Sequence, residues 1–407
     1  MNKRENNPNT KAPSPQRKDS GGFFVVIPCY DDEFIFNTLQ SLEETRETES
    51  EVEVIVVVNS SENTPFHIVE KNRKIFDELE KKANSFYYKR FKLLPVNIEN
   101  TVKKKGGVGH ARKTGMDEAV RRFSAVSKPN GIIISLDADT LVGKNYFVEI
   151  ENAFKKNPKI NAFTFQFRHD FNEKIYSEEE IEACRLYETY LRYYRLSLKT
   201  TGFPYCFHTI GSCFAVTASA YTKVGGMPQK QGGEDFYFLH KLAQTTEIGE
   251  IKATIVYPSP RISDRVPFGT GPSVRNIISD KKYLVYNFEL FFILKKFFDC
   301  FPDFWKSDAI NIKNIPNEIV DFWGEKKVIE TIKECKENSA QEKYFIKRLY
   351  SKFDAFFVVK FLNSFDEKSN FPPIDVKNAA SMLLQYYDKK EAENIYDTVL
   401  ELDFLLH

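Results

Sequence analysis

The stretch IIISLDADT, residues 132–140, joins an apolar run to two aspartates. The β-branched run predicts a buried strand, and residues two apart in a strand point to the same side. Asp137 and Asp139 are therefore predicted to converge on one point. Two close carboxylates repel one another unless a cation lies between them, and hard oxygen ligands suit Mg²⁺ or Mn²⁺. A plain surface turn is the alternative, because Asp is common where a strand ends.

Two other apolar runs also predict strands, FFVVIP at residues 23–28 and VEVIVVV at residues 52–58. Both are continuous rather than alternating, which is typical of central strands in a parallel sheet. A helical stretch from about Glu33 separates the first two strands, and helical spacing at residues 66–84 and 110–123 lies between the second strand and the third. Residues 162–169, AFTFQFRH, alternate and predict a further strand with one more exposed face. This order of strands and helices predicts an α/β layered fold.

The composition of the 407 residues is that of a globular protein, with 42% hydrophobic and 28% charged residues. The net charge of +1 argues against a nucleic-acid partner, because no global field favours one. The six cysteines are scattered without a C-x-x-C pair, which argues against a zinc ribbon or a disulfide framework. Together with the absence of a secretory signal pattern, they predict a cytoplasmic location.

One aromatic segment, YLVYNFELFFILKKFFDCF at residues 283–301, raises the question of a membrane span. Glu289, Lys295 and Lys296 interrupt it, so no transmembrane span is predicted. The favoured interpretation is a helix that faces the core. Peripheral contact with a membrane surface, with the lysines near headgroups, stays open as the alternative.

Changes in composition divide the chain into three parts. Residues 1–21 are polar and Pro-containing and predict a disordered tail, because they can bury too little apolar surface to offset their ordering entropy. Residues 22–272 carry the alternating strand and helix patterns and form the predicted α/β domain. Residues 273–407 show long charged stretches with helical spacing and predict a mostly helical C-terminal domain.

Four further stretches accompany LDAD in a fixed order. They are VVIPCYDDE (residues 25–33), VVVNSSE (56–62), GGVGHARKTGMDEA (106–119) and GGEDFYFLHKL (232–242). This set resembles the family 2 glycosyltransferases over roughly residues 22–245. The resemblance implies a GT-A fold, which is a Rossmann-like nucleotide-sugar-binding domain. It also implies transfer of a sugar from a nucleotide-diphosphate donor, with inversion and with a divalent metal, Mn²⁺ or Mg²⁺.

The resemblance assigns the donor site and the metal site residue by residue. The donor-binding residues it implies are Pro28, Tyr30, Asp31, Asn59, Gly109, Arg112 and Asp137. Asp139 is the implied main metal ligand, and Asp137 is a second ligand or a ribose contact. Asn59 stands where the family usually has Asp, and its carbonyl oxygen can still accept a hydrogen bond from uracil, so a UDP-sugar is the favoured donor. Arg112 follows a Gly-rich stretch at a helix start, where phosphate is attracted.

The acidic pair in GGEDFYFLHKL occupies the position of the family's catalytic acids. Asp235 is therefore the implied general base and Glu234 its supporting neighbour. The alternative is an N-cap, because Asp before a helix commonly caps it. Separately, RISDRVPFGTG at residues 261–271 predicts an arginine-bearing lid over the diphosphate, with Arg265 the candidate and a rigid interdomain turn the alternative.

These patterns together predict a glycosyltransferase with a nucleotide-sugar donor and a carbohydrate or lipid-linked acceptor. A sugar nucleotidyltransferase and a non-catalytic nucleotide-sugar binding protein are the alternatives. One aromatic set, Tyr187, Tyr190 and Tyr194, has helical spacing. It is predicted to belong to the core rather than to a platform on which sugars stack.

Overall fold

The structure is a computed structural model. It describes residues 22–101, 107–263, 265–267, 269–307, 309–389 and 394–406. The predicted tail at residues 1–21 lies outside the described residues.

A mixed sheet organises the first part of the chain. Its strands are β1 (Phe23–Cys29), β2 (Val52–Ser61), β3 (Lys92–Thr101), β4 (Ile132–Ser135), β5 (Thr140–Val142), β6 (Ala162–Phe167), β7 (Phe214–Thr217) and β8 (Ile248–Pro258). Their spatial order is β3-β2-β1-β4-β7-β6-β8-β5. The pairs joining β3, β2, β1 and β4 are parallel, whereas β7 runs antiparallel to both β4 and β6. Chain crossovers at β1 leave the carboxyl ends of β1, β2 and β4 at one edge, where α/β sheets bind ligands.

Helices cover both faces of this sheet. They are α1 (Ile35–Glu43), α2 (Phe66–Asn84), α3 (Val108–Ala125), α4 (Tyr146–Lys156), α5 (Glu178–Thr200), α6 (Ala218–Lys223) and α7 (Glu234–Ala243). Along β1, Phe23, Val25 and Ile27 enter one hydrophobic cluster, and Phe24 and Val26 enter another on the opposite face. Burial of both faces explains why the strand is apolar throughout, and the predicted α/β architecture is confirmed.

The prediction that the strand at residues 162–169 has a more exposed face is wrong, because every residue of β6 is buried. The polar residues of β6 led to the prediction of an exposed face. Gln166 is fully buried, and its amide donates to Glu250 on β8 at 2.8 Å. Arg195 of α5 lies 3.5 Å from the other oxygen of that carboxylate. Alternation between apolar and polar residues therefore marks a buried polar contact here rather than contact with water.

The C-terminal part is mostly helical. Its elements are α8 (Thr270–Asp280), α9 (Glu289–Asp299), α10 (Phe301–Lys306), α11 (Asn317–Trp323), α12 (Glu325–Glu337), α13 (Glu342–Lys352), α14 (Ala355–Leu362), α15 (Val376–Tyr386) and α16 (Ile395–Leu405), with the paired strands β9 (Leu284–Val285) and β10 (Ile374–Asp375). The predicted boundary at residue 272 falls inside α8. The apolar side of α9 lies in a large aromatic cluster, so the core-facing helix is confirmed. Nowhere in the described ranges is a helix long and apolar enough to cross a membrane.

A buried ion network fastens the last helix to the sheet domain. Asp403 of α16 pairs with Arg192 and Arg195 of α5, and His208 Nε2 lies 2.9 Å from its carboxylate. Arg192 also pairs with Glu188 at 2.8 Å. Burial opposes ionisation of Asp403, but His208 and the two arginines outweigh it and hold the pKa well below its usual value. α16 thus supplies a negative charge that pairs with buried arginines of the sheet domain.

We expect Asp403→Asn to lower the free energy of unfolding by roughly 3–5 kcal/mol, because it removes the buried carboxylate that Arg192 and Arg195 share. Chemical denaturation measures this loss. Glu401→Gln is the matched control, since Glu401 is an exposed residue of the same helix. Equal stability of the two variants would show that the charge of Asp403 does not contribute to the free energy of unfolding.

Candidate active site

The two aspartates of the opening motif lie in a turn just past β4. The strand itself ends at Ser135, and the Leu136 N–H still donates to the Val26 carbonyl at 3.1 Å. Strand alternation therefore does not set the directions of Asp137 and Asp139. Each contacts its own arginine group, although the charge of Asp139 still acts on Asp137. The site consists of these two groups and the elements that carry them.

Arg112 forms the centre of the first group. Its side chain is 2% exposed and projects from the inner face of α3. Its Nε donates to Glu234 Oε1 at 3.0 Å, and its Nη2 donates to Asp137 Oδ1 at 2.7 Å. Its Nη1 donates to Ser135 Oγ at 2.6 Å and to the Gly211 carbonyl at 3.1 Å. One guanidinium thus joins α3, the end of β4, the loop before β7 and the start of α7.

Charge balance keeps this buried group ionised. Burial acts to lower the pKa of Arg112, but Asp137 and Glu234 outweigh it and raise the pKa above its usual value. For Asp137, burial raises the pKa, and Arg112 only partly opposes that effect while Asp139 adds to it. In this structure the Arg112 nitrogens donate to groups within the protein.

Arg261 and Arg265 form the second group with Asp32 and Asp139. Both arginines pair with Asp32, which follows β1 and is only 1% exposed. Both also reach Asp139 Oδ2, at 2.8 Å from Arg261 Nη2 and 2.9 Å from Arg265 Nη2. Burial opposes ionisation of Asp139, but Arg265 and Arg261 prevail and lower the pKa. The sequence analysis singled out only Arg265, although Arg261 stands in the same stretch.

The neighbouring Asp31 faces a different way. Its backbone is left-handed, with φ of 51°, and its carboxylate pairs with Lys71 at 2.8 Å near the surface. The Asp31 N–H donates to Asn72 Oδ1 at 2.8 Å. The side-chain amide of Asn72 donates to the main-chain carbonyl of Asn59 at 3.1 Å. Asn72 of α2 thus holds the ends of β1 and β2 together. Sequence reasoning missed Asn72, because a lone Asn in a charged helix carries no signal.

The remaining donor-site candidates lie along the same edge. Pro28 is buried in β1 opposite Val57, and the carbonyl of the half-buried Tyr30 accepts from Arg265 Nη1 at 3.4 Å. Gly109 lies in the first turn of α3, where its N–H donates to the Lys230 carbonyl at 3.2 Å. A Cβ at Gly109 would lie 2.4 Å from that oxygen. The glycine therefore lets the loop before α7 pack directly on the start of α3.

The acidic pair opens α7. Its N-cap is Gly233 in a left-handed conformation, φ 67°, so the interpretation of Asp235 as an N-cap is wrong. Asp235 is the second helical residue, and its Oδ1 accepts from the Phe236 N–H at 2.7 Å. Burial, followed by the charge of Glu234, raises the pKa of Asp235 to about 7, although Arg112 opposes the shift. A carboxylate with this pKa can accept a proton near neutral pH.

Comparison with known proteins assigns a family to the part of the chain before Glu234 and Asp235. Residues 24–225 match the model described as Glycosyl transferase family 2. Together with the sheet order, this match confirms the predicted family, the predicted GT-A type of α/β fold and the prediction of a transferase. No curated protein matches this chain.

Several solved structures are similar to the chain at low identity. Residues 1–349 of TarS from S. aureus are 13% identical, with a TM-score of 0.38, over 95% of this chain and 92% of that one. The same TarS fragment with UDP-GlcNAc is 14% identical, with a TM-score of 0.39, over 93% and 90% of the two chains. The mannosyltransferase PcManGT from Pyrobaculum calidifontis, with GDP-Man and Mn²⁺, is 15% identical, with a TM-score of 0.35, over 94% and 84%.

We expect Arg112→Ala to lower the free energy of unfolding by roughly 3–5 kcal/mol, because it leaves Glu234 and Asp137 without their cation. Arg121→Ala is the control in the same helix, since Arg121 is 57% exposed and pairs only with Glu118 among the described salt bridges. That change should cost about 0–1 kcal/mol. Urea denaturation of both variants measures the difference, and a small loss for Arg112→Ala would refute its structural role.

Proposed function

Residues 24–225 of this chain belong to glycosyl transferase family 2, and on this premise we propose the reaction in detail. The protein transfers a sugar from a nucleoside-diphosphate donor, with uridine the favoured base, to a hydroxyl of its acceptor. The transfer proceeds with inversion. The observation that carries the proposal is the position of Asp235: Arg112 ties its neighbour Glu234, at the start of α7, to Asp137 at the ligand-binding edge of the sheet.

Asp235 acts as the general base in this proposal. Its carboxylate takes the proton of the acceptor hydroxyl as that oxygen attacks the anomeric carbon of the donor sugar. The bond between the anomeric carbon and the phosphate oxygen breaks, and the electron pair leaves with the nucleoside diphosphate. Arg112 holds Glu234 at 3.0 Å, and the charge of Glu234 beside Asp235 helps to raise the pKa of the base.

Arg261 and Arg265 are proposed to receive the leaving diphosphate. Guanidinium groups donate to phosphate oxygens in a fixed fork, which stabilises the charge that develops on departure. The buried carboxylate of Asp32 contacts both arginines and therefore acts as a positioning residue. Tyr30, Asp31 and Asn59 are proposed to border the nucleoside at the ends of β1 and β2.

The carboxylates at the end of β4 suit a divalent cation in ligand type. The described residues hold no group of three or more His, Cys, Asp and Glu side chains placed as ligands. Mg²⁺ needs fewer, since it is usually held by one or two carboxylates together with substrate phosphates and water. Asp139 and Asp137 would hold the cation, which would neutralise charge on the diphosphate. Arg261 and Arg265 contact the same Asp139 oxygen and would share that task.

We expect Asp235→Asn to lower kcat by roughly a hundredfold or more while the fold persists, since an amide oxygen can still accept from Phe236. In the wild type, kcat/KM should fall about tenfold per pH unit below the Asp235 pKa of about 7, because the protonated carboxyl cannot take a proton. Glu179→Gln is the matched control, because Glu179 is an exposed second residue of α5. Near-normal sugar transfer by Asp235→Asn would reject the base assignment.

We expect calorimetry to show that UDP binds more tightly than GDP, and that Mn²⁺ strengthens the binding of UDP. Asp139→Asn should reduce the strengthening of UDP binding by Mn²⁺ at least about tenfold, because the change removes a negatively charged ligand of the metal. Asp77→Asn, an exposed change on α2, should leave the gain intact. An equal effect of Mn²⁺ on the wild type and Asp139→Asn would contradict the metal assignment, and tighter binding of GDP would contradict the base.

A further inference from the structure

An aromatic groove of about 270 Å³ opens between α5 and the C-terminal helices. It is lined by Tyr190, by Tyr283 and Tyr286 on either side of β9, and by Asn363 and Phe365 after α14. Its volume approaches the lower end of small-molecule sites, which begin at about 300 Å³. The reaction as proposed above makes no use of it.

The tyrosines of this groove form a connected set. The Tyr190 ring lies 5.5 Å from that of Tyr283 at 87° and 6.3 Å from that of Tyr286 at 57°. Tyr187 continues the set along α5, with its ring centroid 6.3 Å from Tyr283. Tyr187 is buried, but the tyrosines at the groove are only partly buried. The α5 tyrosines were predicted to belong to the core: Tyr187 is a buried member of a hydrophobic cluster, and Tyr190 and Tyr194 pack against the core while partly buried.

Polar groups accompany the rings. The Tyr286 hydroxyl donates to Asn363 Oδ1 at 2.8 Å, and the Asn363 side chain lies at the exposed rim. The Tyr194 hydroxyl, in the same set of rings, is buried without a hydrogen-bond partner among the described residues. Tyrosine offers a flat apolar face and a polar tip. This surface matches a sugar, which has an apolar face of C–H groups and a rim of hydroxyls, better than it matches a lipid chain.

The groove lies one short helix away from the proposed base. Phe356 at the start of α14 contacts the two residues after Asp235, at 5.1 Å from Phe236 and 4.5 Å from Tyr237 between ring centroids. The eight residues of α14 then lead to Asn363 at the groove, a rise of about 12 Å.

We propose that this groove binds a sugar ring of the acceptor, remote from the hydroxyl that reacts, so that the acceptor is an oligosaccharide or a longer glycan. The inference rests on the proposed function, since it takes Asp235 as the point of transfer. The proposed base lies near one end of α14 and the groove at the other, about 12 Å along the helix, so one sugar ring could not occupy both places. Stacking on Tyr190 and Tyr286 and hydrogen bonds to Asn363 would select a carbohydrate chain over a single sugar.

Saturation-transfer NMR of the full chain without donor tests this site. The probes are maltotetraose, cellotetraose, chitotetraose and mannotetraose, each measured separately. At least one should give a signal, and Tyr190→Ala and Asn363→Ala should each reduce it severalfold. Tyr344→Ala is the control, because Tyr344 is 51% exposed on α13 and lies outside the groove. If Tyr190→Ala fails to fold, Asn363→Ala tests the groove alone, because Asn363 is exposed.

Silence from all four tetrasaccharides, or signals that neither groove variant changes, would overturn the inference. Calorimetry with UDP separates this failure from a failure of the proposed function. Saccharide binding without nucleotide binding would refute the donor proposal and leave the groove standing. Nucleotide binding without saccharide binding would refute the groove alone.

Discussion

The buried guanidinium of Arg112 is the contact on which the site depends. A charge taken out of water is tolerated only when opposite charges and hydrogen-bond acceptors surround it. Here Glu234, Asp137, Ser135 and the Gly211 carbonyl fill that role. The acceptors come from three segments, the end of β4, the loop before β7 and the start of α7, so the hydrogen bonds of one cation fix where these segments meet α3. The placement of Asp235, next to Glu234, follows from the same hydrogen bonds.

The same physical rule joins the C-terminal helices to the sheet domain. Arg192 and Arg195 on α5 are buried, and Asp403 near the end of the chain pairs with both. The tyrosines of the aromatic groove extend from the same helix, α5. The helical part therefore contributes both a charge that stabilises the sheet domain and a surface close to the proposed base. A division at residue 272 describes composition better than it describes packing.

Opposing effects decide the chemistry of Asp235. A helix N-terminus favours a charged carboxylate and makes it a weaker base. Burial and the neighbouring Glu234 act the other way, and they prevail over Arg112 to bring the pKa to about 7. The same balance has the opposite result at Asp139, where two arginines lower the pKa despite burial. Two carboxylates at one sheet edge thus become suited to different tasks, one to accept protons and the other to remain charged.

The α/β architecture and the family could be predicted from sequence patterns, because buried parallel strands must be apolar throughout and loops at their carboxyl ends carry local motifs. Asp235, Asp137, Asp139, Arg112 and Arg265 could be singled out in this way. Only the tertiary structure decided which groups pair, as when Asp32 rather than Asp31 contacts the arginines and Asp403 meets α5. It also decided that Gln166 is buried and that Tyr190 lines a groove. The physical reason is that burial and charge pairing join residues far apart in the chain, whereas motifs and periodicity report only on neighbours.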